Sequence, residues 1–198
     1  MDDGPVVKTL QYTANLPGTH GVQGSISQFA DLDFLKVTIA IDKKEVRGKE
    51  SVHIALPFKI SNPEVRMDAG LGVYGPDYQQ LPGSNKEYYS VPRWLNVSGS
   101  EGHVTVACPQ GALFEVGAMM DEQKDVKGYK RWKQTQTSSS LIFLYAMNNY
   151  WHTNFKAGQE GKATFDVYLK FRHQPFKADE ANKFGYECTE PFWVLGAK

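Results

Sequence analysis

A two-residue alternation of apolar and polar side chains is the feature of this sequence that most restricts its fold. The alternation is strict between residues 163 and 171, where the apolar set is Ala163, Phe165, Val167, Leu169 and Phe171. Successive side chains of a β-strand point to opposite faces of the sheet, so this pattern predicts a strand with one buried face. Segment 52–60 has the same pattern, whereas the 3.6-residue period of an amphipathic helix is almost absent from the chain.

Similar segments follow one another along the chain, separated by Gly, Pro, Asn, Asp and Ser. Strands are predicted at residues 32–41, 52–60, 65–67, 94–97, 103–108, 113–119, 141–146 and 163–171. A mild helix signal, Asp179 and Glu180 followed by Gly185 as a stop, predicts at most a turn or two of helix. We therefore expect an all-β fold with little helix, in which residues 1–198 form one antiparallel β-sandwich of two sheets.

One long polar segment, residues 121–140, interrupts this series of strands. Its composition predicts a solvated loop. Trp132, which stands between Arg131 and Lys133, supports a binding patch as the alternative.

The overall charge restricts the partners of the chain. Its 198 residues include 22 Lys and Arg and 22 Asp and Glu, so the formal net charge is zero. Nucleic-acid binding requires a basic surface, and none is expected here. The longest apolar run, residues 141–147, is too short to span a bilayer, and the N-terminus lacks the features of a signal peptide. We expect a soluble chain with no nucleic-acid or membrane partner. The sequence does not predict its cellular compartment.

The familiar catalytic and metal-binding patterns are missing from the sequence. The five histidines are scattered without the short spacing of a zinc site, and no phosphate-binding glycine loop or nucleophile elbow is present. The chain is thus expected to have no catalytic residues, metal or cofactor of its own. His53 and His103 fall on the outer faces of their strands by alternation and are expected to face solvent. Cys108 lies in an apolar run, which favours a buried free thiol.

Two polar stretches remain as candidates for chemistry. Residues 148–154 read NNYWHTN, a concentration of amides and aromatic rings that fits either a tightly bonded turn or the wall of a sugar site. Asp42 and Glu50 flank a charged turn, and their carboxylates would face each other if Ile41 and Ser51 belong to adjacent strands.

Several motifs, taken in order, resemble a known family. They are DGPVV near the start, IDKKEVRGKESVHIALPF from Ile41, QLPGS from Gln80, RWLNVS from Arg93 and MNNYWHTNFKAGQEG from Met147. Together they resemble the C-terminal β-domain of family 38 glycoside hydrolases, the α-mannosidases, over roughly residues 4–191. The resemblance implies a mutarotase-like super-sandwich that packs on an upstream catalytic domain.

The same resemblance has further implications for function. In that family the nucleophilic Asp and the zinc ligands belong to the upstream domain, so zinc is expected in the catalytic domain of a parent enzyme and not in this chain. The chain would then be a non-catalytic fragment, or a free-standing relative, of a hydrolase of mannose metabolism. Its expected partners are the parent's catalytic domain and a mannose-containing glycan.

The family motif also names candidate residues, each of which either contacts a carbohydrate or clamps a loop at a domain interface. These candidates are Asp42, Lys43, Glu50, Gln80, Asn148, Asn149, Trp151, His152, Thr153 and Asn154.

Two alternative functions belong to other classes. A stand-alone carbohydrate-binding module would use Trp132, Trp151, Tyr88 and Tyr89 beside the amides. A mutarotase-like enzyme acting on the anomeric carbon of a sugar would need His152 or His173 to meet a carboxylate in a cleft.

Overall fold

The computed structural model describes residues 2–76, 78–119, 133, 135–149 and 156–190. Most of the polar segment 121–140 lies outside these residues, and so does the end of the amide-rich motif, namely Trp151, His152, Thr153 and Asn154.

Thirteen strands and one helix make up the described part of the chain. The first strands are β1 (Asp2–Asp3), β2 (Val7–Ala14), β3 (Thr19–Phe29), β4 (Leu35–Lys43), β5 (Ser51–Pro57), β6 (Glu64–Asp68) and β7 (Val73–Tyr74). The remaining elements are β8 (Tyr89–Ser90), β9 (Leu95–Gly99), β10 (Gly102–Ala107), β11 (Leu113–Val116), β12 (Leu141–Asn148), β13 (Gly161–Arg172) and α1 (Ala178–Thr189).

The strands form two antiparallel sheets that pack face to face. The larger sheet has nine strands in the order β1-β2-β3-β4-β13-β10-β9-β6-β7, and the smaller has four in the order β5-β12-β11-β8. Their facing sides supply one hydrophobic core, with Val104, Val106 and Val167 from the larger sheet and Ile142 and Leu144 from the smaller. The structure thus confirms the all-β, two-sheet antiparallel sandwich.

Helix α1 packs against β10 on the side of the larger sheet that faces away from the core. Ala181, Phe184 and Gly185 are its buried residues. A Cβ on Gly185 would lie 2.6 Å from Cδ1 of Trp94, so this close approach requires glycine. The helix has 12 residues and continues through Gly185, and the predicted stop at that position is wrong. The contact with Trp94 compensates for the poor helix propensity of glycine, and propensity alone could not show this.

Strands β1, β2 and β3 are a second difference from the sequence prediction, which placed no strand before residue 32. On the core-facing side of β2 and β3, Leu10, Tyr12 and Ile26 are 47%, 40% and 37% exposed. The smaller sheet therefore does not cover this part of the larger sheet, and the apolar alternation of these strands is weak because little of their surface is buried. The Tyr12 ring lies over Gly24, where any Cβ would overlap it.

Both cysteines are free thiols, and Cys108 is buried as its apolar surroundings predicted. Burial raises the pKa of the Cys108 thiol to about 11. In the part of the chain that the structure describes, no helix is long and apolar enough to cross a membrane.

Candidate functional site

The outward side of β2, β3, β4 and β13 is almost entirely polar. Antiparallel pairing places Gln11 opposite Ser25, Ser25 opposite Thr38, and Thr38 opposite Asp166. Directly opposed residues share one side of a sheet, so each such row crosses all four strands. We call this surface the open polar face, made of Thr9, Gln11, Thr13, Gln23, Ser25, Ser27, Lys36, Thr38, Ala40, Asp42, Lys162, Thr164 and Asp166.

Two adjoining hollows lie on the open polar face. The first hollow has a volume of about 530 Å³, and the polar side chains around it are those of Gln11, Thr13, Gln23, Ser25 and Thr38. The second hollow has a volume of about 320 Å³ and is lined by polar residues that include Asn15, His20, Asp42, Lys162 and Thr164. Thr13, Gln23 and Ala40 border both hollows, so the two form one continuous groove.

Some side chains of this face are already engaged within the protein. The Thr38 hydroxyl donates to Asp166 Oδ1 at 2.6 Å, and Lys36 Nζ lies 3.1 Å from the other carboxylate oxygen. Thr9 and Ser27 share a hydrogen bond of 3.0 Å between their hydroxyls. These contacts hold the strands' polar side chains in fixed positions and balance the charge of Asp166.

Other side chains of the groove remain available to a ligand. Within the described ranges, the side chains of Gln11, Gln23 and Ser25 make no hydrogen bond to the protein. Asp42 and Lys162 are cross-strand partners, yet they form no ion pair with each other or with any other described residue. The groove therefore offers amide, hydroxyl, carboxylate and ammonium groups whose hydrogen-bonding capacity is satisfied by water or by a ligand.

His20 reaches the second hollow because of an irregularity in β3. The register between β3 and β4 shifts between Thr19 and Gly21, so His20 is the extra residue of a bulge. A β-bulge redirects the side chain of its extra residue. No sequence pattern marked this histidine, because a bulge depends on the pairing of two strands.

The structure separates Asp42 from the candidates that neighbour it in sequence. Lys43 points to the opposite side of the sheet, is 7% exposed, and has its Nζ 2.5 Å from Glu50 Oε1. The conditional pairing of Asp42 with Glu50 does not occur, because β4 belongs to the larger sheet and β5 to the smaller. The two carboxylates therefore do not face each other across one pair of strands.

Asn149 ties the loop between β4 and β5 to the end of β12. Its Oδ1 accepts from Glu50 N at 2.9 Å, its Nδ2 donates to Val46 O at 2.6 Å, and its backbone N donates to Glu50 O at 3.1 Å. Asn148 closes β12 as the cross-strand partner of Ser51. Asn149 thus holds backbone groups that are 99 and 103 positions away in sequence.

Replacing Asn149 by alanine is expected to lower the free energy of unfolding by about 1–3 kcal/mol, because a backbone donor and a backbone acceptor lose their partners. Urea unfolding of both proteins measures the difference. Asn15→Ala is the matched control, because Asn15 is exposed and its side chain makes no hydrogen bond among the described residues. It is expected to change the free energy of unfolding by less than about 0.5 kcal/mol. Equal losses for both variants would contradict the role of Asn149.

Gln80 also lies away from the open polar face. Its Nε2 donates to Asn85 O at 3.0 Å, and its Oε1 accepts from Lys86 Nζ at 3.1 Å. Both bonds join positions five and six residues apart, so the Gln80 side chain braces its own loop.

Two histidines that were expected to face solvent are covered. His103 is 9% exposed, and its Nδ1 lies 2.9 Å from Asn96 Nδ2 beneath α1. Burial lowers the pKa of His103. The His53 side chain is 12% exposed, and its Nε2 lies 3.2 Å from Oε2 of Glu115, a carboxylate with no exposed surface. Alternation correctly places these residues on the outer faces of their strands, but it cannot show that those faces are covered.

His53 Nε2 and Glu115 Oε2 lie close together without forming an aligned hydrogen bond, and the contact is an ion pair only when the imidazole is protonated. Neither the His53 Nε2 nor the two Glu115 oxygens have a hydrogen-bond partner of good geometry among the described residues. The His53 ring also stacks on Tyr145, with centroids 4.5 Å apart and an interplanar angle of 13°. Burial, with a contribution from Glu115, raises the pKa of Tyr145. Because the pair is enclosed, it is a structural feature of the smaller sheet.

The histidines named for a sugar-modifying enzyme are not brought together with a carboxylate by the described residues. His173 is exposed, and its Nδ1 lies 3.2 Å from the carbonyl oxygen of Glu101. His152 lies outside the described residues. Over the same described ranges, no group of three or more His, Cys, Asp or Glu side chains could hold a metal ion.

Comparisons with known proteins give little beyond the fold. No family model matches the chain, and no curated protein matches it. One similar solved structure is that of a candidate aldose 1-epimerase from Escherichia coli K12. It has 10% sequence identity and a TM-score of 0.44, and the match covers 88% of this chain and 68% of that one.

The resemblance to the β-domain of family 38 α-mannosidases is therefore wrong, and the hydrolase and mannose-metabolism interpretation falls with it. No family model and no curated protein supports it. The motifs behind it were short and rich in turn residues. Asn149 illustrates the physical reason, since an amide that bonds two backbone groups of a loop suits many β-sandwiches and identifies none of them.

Proposed function

We propose that this protein binds a carbohydrate in the groove of the open polar face. The observation that supports the proposal most directly is the set of uncommitted amide and hydroxyl side chains, Gln11, Gln23 and Ser25, around the first hollow. Sugar hydroxyls both donate and accept hydrogen bonds, and amides and hydroxyls do the same. The groups stand on paired β-strands, so their backbone is already ordered before a ligand binds.

The composition of the groove disfavours other ligand classes. Around the first hollow, the polar side chains are uncharged, so a phosphate-rich ligand would find no counter-charge there. An apolar ligand would leave the amides and hydroxyls without hydrogen-bond partners, which is costly. The volume of about 530 Å³ lies in the range of small-molecule sites, roughly 300–1,000 Å³.

The proposal is tested by calorimetric titration of the full chain with a panel of neutral mono- and oligosaccharides that includes mannose and mannobiose. The Gln11→Ala/Gln23→Ala double variant is expected to bind about 10- to 100-fold more weakly, since each lost hydrogen bond contributes about 0.5–1.5 kcal/mol.

Gln28→Ala is the matched control for this titration. Gln28 is an exposed glutamine of β3 whose cross-strand partner, Leu35, places it on the other side of the sheet. It is expected to bind sugars as the unaltered protein does. The proposal fails if no sugar of the panel binds, or if the double variant binds as tightly as the control.

A second candidate function, mutarotation of a free sugar, is favoured by the presence of both His20 and Asp42 at the second hollow. Asp42 would remove the proton of the anomeric hydroxyl while His20 gives a proton to the ring oxygen. The bond between C1 and the ring oxygen then breaks to give the open aldehyde, and rotation and reclosure give the other anomer. Polarimetry of freshly dissolved α-anomers tests it. A rate equal to the buffer blank, or unchanged in Asp42→Asn, would remove this candidate.

A further inference from the structure

The groove has two parts that differ in chemical character. Around the first hollow the polar side chains are neutral amides and hydroxyls, whereas the second hollow adds Asp42, Lys162 and His20. Residues that both hollows share join the two parts without a barrier. This difference bears on the size and the charge of the ligand.

The length of the groove exceeds one sugar ring. Thr38 borders the first hollow and Asp42 the second, and both lie on β4. Four residues of a strand extend about 13 Å, which is longer than a single pyranose ring. One ring could therefore occupy either hollow but could not reach from Thr38 to Asp42.

The charged groups of the second hollow offer the stronger contacts. A carboxylate can accept hydrogen bonds from two neighbouring hydroxyls, and an ammonium group can donate to a third oxygen. Hydrogen bonds with one charged partner are about twice as strong as those between neutral groups. Because Asp42 and Lys162 carry opposite charges on adjacent strands, together they add no net charge that would favour an acidic or an amino sugar over a neutral one.

We infer that the ligand is a neutral oligosaccharide of at least two sugar units, with the unit in the second hollow held through adjacent hydroxyls by Asp42 and Lys162. This inference rests on the proposed carbohydrate binding. It adds that the two hollows are separate subsites and that the second one selects for chain length.

The test compares the mono-, di- and trisaccharide of one neutral sugar series by calorimetric titration of the full chain. The disaccharide is expected to bind at least about 10-fold more tightly than the monosaccharide, and this gain in affinity corresponds to one or two further hydrogen bonds. Asp42→Asn is expected to bind the disaccharide at least about 10-fold more weakly than the unaltered protein does. Asp31→Asn, at an exposed carboxylate outside the groove, is expected to keep the full gain.

The remaining outcomes distinguish a failure of the two-subsite inference from a failure of the proposed carbohydrate binding. Equal affinity for the mono- and disaccharide, with both binding, would overturn the two-subsite inference and leave carbohydrate binding intact. An unchanged affinity of Asp42→Asn for the disaccharide would also overturn it. Binding of no sugar at all would instead refute the proposed function.

Discussion

Replacing His53 by alanine is expected to lower the free energy of unfolding by about 3–5 kcal/mol, because a buried carboxylate loses the ring nitrogen that faces it and the lost ring leaves a cavity. Glu115 has no exposed surface, and His53 Nε2 lies 3.2 Å from its Oε2. Without the ring, the carboxylate stays buried with no polar group of His53 beside it. Urea unfolding at neutral pH measures the effect.

A double-mutant cycle separates the loss of the polar contact from lost packing, since the variant also removes a ring that stacks on Tyr145. Glu115→Leu removes the buried carboxyl group and places an apolar side chain there. In that background His53→Ala is expected to lower the free energy of unfolding only through lost packing, so its effects in the two backgrounds should differ by about 1–3 kcal/mol. Additive effects within about 0.5 kcal/mol would contradict a His53–Glu115 contact that contributes to stability.

Replacing Trp94 by alanine is expected to lower the free energy of unfolding by about 3–5 kcal/mol, the usual cost of truncating a buried Trp. Trp94 is 0% exposed. Its Nε1 donates to Asn182 Oδ1 at 2.9 Å, and its ring centroid lies 5.7 Å from that of Phe176. The substitution would leave a cavity between α1 and the larger sheet, so α1 should also lose protection from amide hydrogen exchange.

Leu71→Ala serves as the control for the Trp94 variant, because Leu71 is fully exposed. It is expected to change the free energy of unfolding by less than about 0.5 kcal/mol. If Trp94→Ala unfolds at the same urea concentration as Leu71→Ala, the docking of α1 does not depend on this ring. Unchanged hydrogen exchange in α1 would contradict the same point.

The apolar alternation of the sequence predicts some strands of this chain and misses others that form the candidate site. Strands with a well-covered face, such as β5 and β13, were predicted near their observed positions because burial imposes the apolar alternation. Strands β2 and β3 were missed, although they carry Gln11, Gln23 and Ser25. Their outward side is polar, their inward side is partly exposed, and the resulting alternation is too weak to stand out.

The sequence names Asp42 on two grounds: a conditional pairing with Glu50, which does not occur, and a family resemblance that proved wrong. Its place at the groove follows from the pairing of β4 with β13, which sets it opposite Lys162. Glu50 was named on the same grounds, yet it lies beside the buried Lys43. Candidates from one motif can thus lie in different environments when adjacent strands join different sheets.

The sequence by itself determined the properties that depend on neighbouring positions: the two-residue period, the antiparallel sandwich class and the burial of Cys108. Only the tertiary structure decided which part of the larger sheet's outward side stays open and which part is covered by α1. It also joined partners far apart in the chain, such as Thr38 with Asp166 across 128 positions. The physical reason is that alternation records which side of a strand is polar, whereas the cover over that side is made by residues distant in sequence.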